Sequence, residues 1–122
     1  MDREHFEELV WQAVESLPPQ IKERLENVAV VIEDLPSPEV RAEFGDDLLF
    51  GLYQGTPLTE RSVWNFQPQP DVITIFQKNI EAECQTEAEI RDEIRTTVIH
   101  EIGHYFGLDE ARLDVLEKNE DL

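Results

Sequence analysis

The sequence has little that would tie it to nucleic acid, to a membrane or to an oxidising compartment. Only 10 Lys and Arg residues stand against 28 Asp and Glu, so the net charge of −18 would repel a phosphate backbone or an anionic lipid surface. Cys84 is the single cysteine, which excludes an intramolecular disulfide and is typical of a reducing compartment. No apolar run approaches the roughly 18 residues of a membrane span, and none follows the charged N-terminus as in a secretory signal. These absences predict a cytoplasmic protein whose easiest partners are basic or neutral peptide segments.

The length of 122 residues is that of one domain, since domains run to about 100–150 residues, and no internal repeat is visible. We therefore expect a single domain over residues 1–122. Its first element is an amphipathic helix over residues 2–17, which Asp2 caps and Pro18 ends. A short second helix is expected to follow, through Leu25.

Three short stretches, of which the first and third are rich in β-branched residues, predict the strands of a small sheet. They are residues 28–32, 48–54 and 72–76. Gly51 interrupts the second stretch, and a glycine inside a strand often marks a bulge or a close backbone approach. A brief helix is expected over residues 38–44 and a helical turn over residues 78–83. Residues 55–71 contain three prolines and are expected to form a long loop, which in a small domain is often functional.

The longest predicted helix begins at a capping box, in which Thr86 caps the helix and Glu89 reaches back. It extends to about Phe106, and Gly107 ends it as a C-cap glycine would. Asp109 then caps a last short helix. One face of the long helix is an apolar stripe, and the seam beside it is polar. The seam consists of Glu93, Thr97, His100 and His104.

The most informative segment of the chain starts on that seam and reads H-E-x-x-H-x-x-G-x-x-E, from His100 to Glu110. His100 and His104 are four residues apart, close to one helical turn, so their imidazoles point the same way and can bind one Zn²⁺ ion. Glu101 lies beside the first ligand, where a carboxylate can take a proton from activated water. The segment therefore predicts a catalytic zinc site with one ion per chain, although such a ligand set would also accept Co²⁺, Ni²⁺ or Mn²⁺.

The third metal ligand has several candidates. Glu110 has the favoured offset, because a sharp turn at Gly107 would bring its carboxylate back to the metal. Asp109 is adjacent, but its expected role is helix capping. Glu117 or Glu120 would serve if the third ligand came from a later helix.

Several other side chains are candidates for the same site. Tyr53 and Tyr105 are candidate oxyanion donors, although core packing is the favoured interpretation of both. Trp64 lies in the long loop and is a candidate substrate contact or a cover for the core. His5 is expected at the surface, and Cys84 is expected to be inert.

The chain resembles the small bacterial zincin-like metallopeptidase family, long catalogued as a domain of unknown function. The matching segments are residues 100–107 with Glu110 and Leu113, residues 49–58 with Arg61 and Ser62, residues 73–76 and the helix 87–99. The chain departs from metzincins, because Glu110 stands where they place His and no methionine follows the helix. The resemblance implies an α+β fold in which a small mixed sheet of about three to four strands packs on an N-terminal helix and an active-site helix.

The same resemblance implies a zinc-dependent metallopeptidase that acts on a peptide or protein substrate. It assigns metal binding to His100 and His104, supports Glu110 as the third ligand and makes Glu101 the general base. The alternative is a non-catalytic metal- or peptide-binding module, against which the intact Glu101 argues. A metal-dependent hydrolase with a substrate other than a peptide is a third, weaker hypothesis, since zinc chemistry suits many carbonyls. The oligomeric state is not predicted.

Overall fold

The computed structural model describes residues 1–25, 27–45, 48–55 and 71–107, which form three strands and five helices. The strands are β1 (Val28–Glu33), β2 (Gly51–Gln54) and β3 (Asp71–Phe76). The helices are α1 (Arg3–Glu15), α2 (Pro19–Arg24), α3 (Pro38–Phe44), α4 (Gln77–Glu83) and α5 (Glu87–Tyr105). β3 is the central strand, parallel to β1 and antiparallel to β2. This small mixed sheet with helices confirms the predicted α+β class.

Helix α1 is capped by Asp2 at its start and by Ser16 at its end. The Asp2 side chain accepts a hydrogen bond of 2.8 Å from the backbone N–H of His5, and Ser16 closes the helix two residues before Pro18. The buried face follows helical spacing, with Phe6 fully buried and Leu9 2% exposed. This face packs on α5, so the predicted N-terminal helix forms one wall of the core.

Strand β2 is shorter than the predicted stretch of residues 48–54, because it begins only at Gly51. The ladder with β3 reaches one residue further, where the N–H of Phe76 donates to the carbonyl of Phe50 at 2.9 Å. The Leu49 carbonyl instead accepts a hydrogen bond of 2.8 Å from the Asn79 side chain. Residues 48–50 therefore lie outside strand β2, and Leu49 contacts α4 through Asn79.

Helix α5 confirms the predicted capping box. The Thr86 side chain accepts from the N–H of Glu89 at 3.1 Å, and the Glu89 carboxylate accepts from the N–H of Thr86 at 3.1 Å. Ile94 and Val98 are buried in the core that α1 and the sheet enclose. Gly107 has a φ of 77°, the left-handed conformation of a C-terminal glycine, and its N–H donates to the carbonyl of His104.

Two predicted elements fall outside the described residues. They are most of the loop over residues 55–71 and the last short helix capped by Asp109. Within the described ranges, no helix combines the length and apolarity that a membrane crossing requires.

Candidate metal centre

His100 and His104 lie on the last two turns of α5 and face each other across one turn. Their ring centroids are 4.8 Å apart with an interplanar angle of 72°. Each side chain is half-buried, and the stripe beside them includes the buried Ile99 and Ile102. A solvated helix carrying two surface histidines is thereby excluded, since the rings lie at the boundary of the core.

The carboxylate of Glu101 lies close to the two imidazoles. One ligand atom from each of His100, Glu101 and His104 lies within 4.8 Å of the other two. Glu101 is only 7% exposed, and burial of a carboxylate is costly unless hydrogen bonds compensate. The backbone N–H of Tyr53 provides one, donating to Oε1 of Glu101 at 2.8 Å. The carboxylate is therefore held from the strand side as well as by its own helix.

The contact between Glu101 and β2 depends on Gly51. A Cβ at this position would lie 2.6 Å from Cγ2 of Thr97 and 3.2 Å from Cγ of Glu101. Real Cβ atoms do not approach other atoms as closely as 2.6 Å, so only glycine allows the strand to lie this near α5. Of the two outcomes that the sequence suggested for Gly51, the structure shows the close backbone approach.

The register of β2 explains why the Tyr53 N–H is available. Phe50 pairs with Phe76 through the ladder hydrogen bond, and Leu52 lies opposite Thr74. In an antiparallel pair the residues between such positions turn their N–H and C=O away from the partner strand. Tyr53 and Gly51 therefore both direct backbone groups towards α5, and Tyr53 is the one that reaches Glu101.

A cleft of about 290 Å³ opens beside this group. One wall is the apolar segment Leu48–Phe50 with Gly51, and the other is the polar seam of α5. His100 and Glu101 lie at one end of the seam wall, and Glu93 lies two helical turns away on the same face. The Thr97 hydroxyl donates to Oε1 of Glu93 at 3.4 Å, so the predicted polar seam exists and lines a cavity.

The surroundings of Cys84 are acidic. Burial, followed by the nearby carboxylates of Glu93, Glu89 and Glu83, raises the pKa of the Cys84 thiol. Cys84 is half-buried and is held in the thiol form at neutral pH by these effects. Its environment accordingly agrees with the expectation that it is inert.

The two candidate tyrosines have their hydroxyl groups engaged in the scaffold. The Tyr53 hydroxyl donates to Oδ1 of Asp71 at 3.2 Å, and the Tyr105 hydroxyl donates to the carbonyl of Arg24 at 3.1 Å. Their rings pack edge to face with centroids 5.9 Å apart. Tyr53 thus contacts the site through its backbone N–H, which donates to Glu101. No pattern in the sequence predicts this contact.

His5 has a more specific environment than the surface position expected for it. Nε2 of His5 pairs with Oε1 of Glu87, so the pair joins the first turn of α1 to the first turn of α5. The hydrogen bond to Glu87 raises the pKa of His5, and the same bond lowers the pKa of Glu87. This pair lies at the opposite end of α5 from the candidate metal centre.

The donor chemistry of the cluster fits zinc. Imidazole nitrogens are ligands that Zn²⁺ accepts, and those of His100 and His104 already lie close together on one helical turn with the Glu101 carboxylate beside them. The candidates for the third ligand, Glu110, Asp109, Glu117 and Glu120, lie outside the described residues, as does Trp64. Within the described ranges, His100, Glu101 and His104 form a group that could hold a metal ion.

Comparison with known proteins agrees with this chemistry. Residues 25–120 match the sequence model of a family described as zincin-like metallopeptidase. The match includes the whole sheet and α5 and leaves α1 outside. No curated protein matches the chain.

Proposed function

The chain belongs to the zincin-like metallopeptidase family, and on that premise we propose that it is a peptidase that binds one zinc ion and hydrolyses peptide bonds. The observation that carries the proposal is the convergence of the donor atoms of His100, Glu101 and His104 within 4.8 Å at one end of a cleft. A half-buried pair of imidazoles with a buried carboxylate between them has the composition of a catalytic zinc site.

His100 and His104 each contribute one ring nitrogen to the metal, and Glu110 supplies the third ligand beyond the turn at Gly107. Zinc held there would supply Lewis-acid activation of water and of the substrate carbonyl. The left-handed φ of 77° at Gly107, three residues after His104, supports this assignment, because it is the conformation in which a helix ends and the chain changes direction. Three protein ligands would leave one position for water or substrate, as in other catalytic zinc sites.

Glu101 is the general base. Its Oε1 accepts a hydrogen bond of 2.8 Å from the Tyr53 N–H, which orients the carboxylate that takes a proton from the attacking water. As the water oxygen bonds to the carbonyl carbon and the C–N bond breaks, Glu101 passes that proton to the leaving amine. The fixed orientation of the carboxylate supports this role, since proton transfer requires a base held within hydrogen-bond reach.

The substrate is a peptide or protein segment bound in the cleft, beside Leu48–Gly51. Because Glu101 already occupies the Tyr53 N–H, this part of the β2 edge is not open to a peptide backbone. Gly51, two residues earlier, turns its backbone groups the same way and lines the cleft. An extended peptide would therefore pair near Gly51 and rest its side chains on the wall formed by residues 48–50.

The test combines zinc content with cleavage of a diverse peptide library, on wild type and Glu101→Gln. We expect one zinc per chain in both proteins and a fall in kcat/KM of about 10²–10⁴-fold in the variant, because glutamine has the shape of the base without its proton affinity. His104→Ala is the control and should lose the metal together with the activity. Stoichiometric zinc without any cleavage would instead favour the non-catalytic binding module. Cleavage that Glu101→Gln leaves intact would contradict the assigned mechanism.

A further inference from the structure

A second groove on the described surface shares no lining residue with the proposed catalytic cleft. It has a volume of about 640 Å³ and lies between α1 and β1. On its helix side the buried Val10 contributes to the lining, and four exposed residues follow the spacing i, i+3, i+4 and i+7, which places these four on one face of α1. They are Glu4, Glu7, Glu8 and Trp11. We call this the α1–β1 groove.

The strand side of the α1–β1 groove is the outer edge of β1. Val30, Val31 and Ile32 all line it, although consecutive strand residues point to opposite faces of a sheet. A groove lined by three consecutive residues must therefore run along the edge of the strand. The inner edge of β1 pairs with β3, and among the strands that the structure describes none pairs with the outer edge.

Arg3 closes one end of the α1–β1 groove. Its Nη1 donates to the Ile32 carbonyl at 3.0 Å, while its other nitrogens bind the Asp34 carboxylate and the Gln77 amide oxygen. In a parallel ladder every second residue directs its backbone groups outward. Since the Ile32 carbonyl meets Arg3 at this edge, Val30 presents its N–H and C=O to the groove. The free part of the edge is thus short and precedes Ile32.

The exposed chemistry of the groove is apolar in the middle and acidic at the rim. Trp11 is 63% exposed and Val31 is 39% exposed, which is unusual for residues whose burial is favourable. Glu4, Glu7 and Glu8 are exposed on the same helix face. Arg3 is engaged at the end of the groove, so the rim is strongly anionic.

We propose that the α1–β1 groove binds an extended cationic segment of a partner protein, which adds to the outer edge of β1 as a further strand. Alternate side chains of such a segment face opposite ways, so lysines or arginines on one side reach the three glutamates. The aliphatic residues between them cover Trp11 and Val31. Helix α1 precedes the family-matched residues 25–120 and β1 lies within them, and the groove includes no residue of the candidate metal centre.

Electrostatic repulsion disfavours the two other segments that could occupy this edge of β1, a second copy of the chain and its own C-terminal residues. A second copy of the chain would bring the same three glutamates and a net charge of −18 to the contact, so the two faces would repel each other. The C-terminal residues 109–121 are also predominantly acidic and face the same repulsion. A cationic segment gains attraction from the surface that repels both of these.

The probe is a fluorescent peptide of about eight alternating lysines and valines, a length typical of strands. It is titrated into zinc-loaded Glu101→Gln protein, so that cleavage cannot consume it, and binding is read from fluorescence anisotropy. We expect neutralisation of the rim by Glu4→Gln, Glu7→Gln and Glu8→Gln together to weaken binding about tenfold or more. Trp11→Ala should also weaken it, and higher salt should weaken it further.

Matched controls separate this site from general attraction to an acidic protein. Neutralising the exposed Glu39, Glu43 and Asp92 together should change affinity by less than about twofold. A probe with a central proline should bind poorly, because proline cannot donate to a strand ladder. The melting temperature of each variant checks that the fold is retained.

Three results would overturn the proposal. Equal loss of binding in the Glu39, Glu43 and Asp92 control would mean diffuse charge attraction only, and equal binding of the proline probe would exclude strand addition. A dimer that forms without probe and is abolished by Trp11→Ala in size-exclusion chromatography would identify a second copy as the occupant.

Discussion

The backbone N–H of Tyr53 donates a hydrogen bond of 2.8 Å to Oε1 of Glu101, joining strand β2 to the helix that carries the candidate zinc ligands. The orientation of the proposed base is therefore set by the spacing between two elements as well as by its own helix. That spacing is permitted by Gly51, two residues before Tyr53, where a side chain would collide with Thr97. The orientation of Glu101 therefore depends both on strand β2 and on the absence of a side chain at Gly51.

Gly51→Ala tests whether the orientation of Glu101 depends on the close approach of β2 to α5. The added methyl would lie 2.6 Å from Cγ2 of Thr97 and 3.2 Å from Cγ of Glu101, so β2 must move away from α5. We expect a loss of about 1–3 kcal/mol in the free energy of unfolding, typical of overpacking, measured by urea denaturation. Because the shift also stretches the Tyr53 hydrogen bond, kcat/KM should fall while zinc content is unchanged.

Thr97→Ser provides the matched control, because it removes Cγ2 and keeps the hydroxyl that donates to Glu93. Alone it should have little effect on activity. Combined with Gly51→Ala it should recover part of both losses, since the closest clash is gone, so the two changes should be non-additive. Strict additivity would show that contact with Thr97 does not set the position of β2.

The sequence predicts α5 and its chemistry well because local rules govern both. Thr86 and Glu89 cap the helix through residues three apart, and the two histidines share a face through residues four apart. The left-handed turn at Gly107 follows from the same local logic. Such features depend on short separations along the chain, which a sequence displays directly.

The contacts that orient the site could not be predicted in this way. Tyr53 and Glu101 are 48 residues apart, and their hydrogen bond depends on the register of β2 against β3. Strand β2 also starts later than predicted, at Gly51 and not at residue 48. This difference likewise depends on a distant residue, Asn79, whose side chain donates a hydrogen bond to the Leu49 carbonyl. Gly51 signalled a close approach in the sequence, but only the fold identifies Thr97 and Glu101 as the partners.

Glu110 is predicted to complete the metal centre. Glu110→Ala should lower zinc affinity by more than the 10–100-fold typical of losing a residue that hydrogen-bonds to a ligand, because a direct ligand is removed. Zinc affinity is measured by competition with a chromogenic chelator. Asp109→Ala, Glu117→Ala and Glu120→Ala are the matched controls and should retain wild-type affinity. A larger loss in one of these than in Glu110→Ala would transfer the ligand role to that residue.

The pair of His5 and Glu87 predicts a pH-dependent part of the stability. The pKa of His5 is raised above 6.5, so its contribution is complete below that value and is lost as pH rises through the raised pKa. The pKa of Glu87 is lowered below 4.5, so its contribution is present above that value and is lost as pH falls through the lowered pKa. The pair therefore stabilises the protein most between these two values.

His5→Gln should accordingly lower the melting temperature at about pH 5.5, inside that window, and leave it nearly unchanged at about pH 9. Comparison of wild type with the variant at each pH cancels the titration of all other groups. Both melting curves are measured by circular dichroism. A difference that persists undiminished at the higher pH would mean that packing, rather than charge, holds His5 against α5.

Glu93 is predicted to select basic residues in the substrate. It lies seven residues before His100 on the same face of α5, about 10 Å along the helix axis, and it lines the proposed substrate cleft. An extended peptide advances about 3.3 Å per residue, so a lysine or arginine about three residues from the scissile bond would meet this carboxylate. A charge-assisted hydrogen bond in a partly buried cleft contributes about 1.5–3 kcal/mol, which corresponds to roughly tenfold or more in kcat/KM.

Glu93→Gln should therefore remove the preference for basic over neutral residues at one substrate position, measured with paired peptides that differ only there. Activity on the neutral peptide should change little, because glutamine keeps the size of the side chain and its acceptor for the Thr97 hydroxyl. Glu93→Lys should reverse the preference towards acidic residues, since the charge that faces the substrate changes sign. Equal loss of activity on both peptides would instead make Glu93 a structural residue of the α5 seam, and the apolar wall at residues 48–50 would then be left as the source of any selectivity.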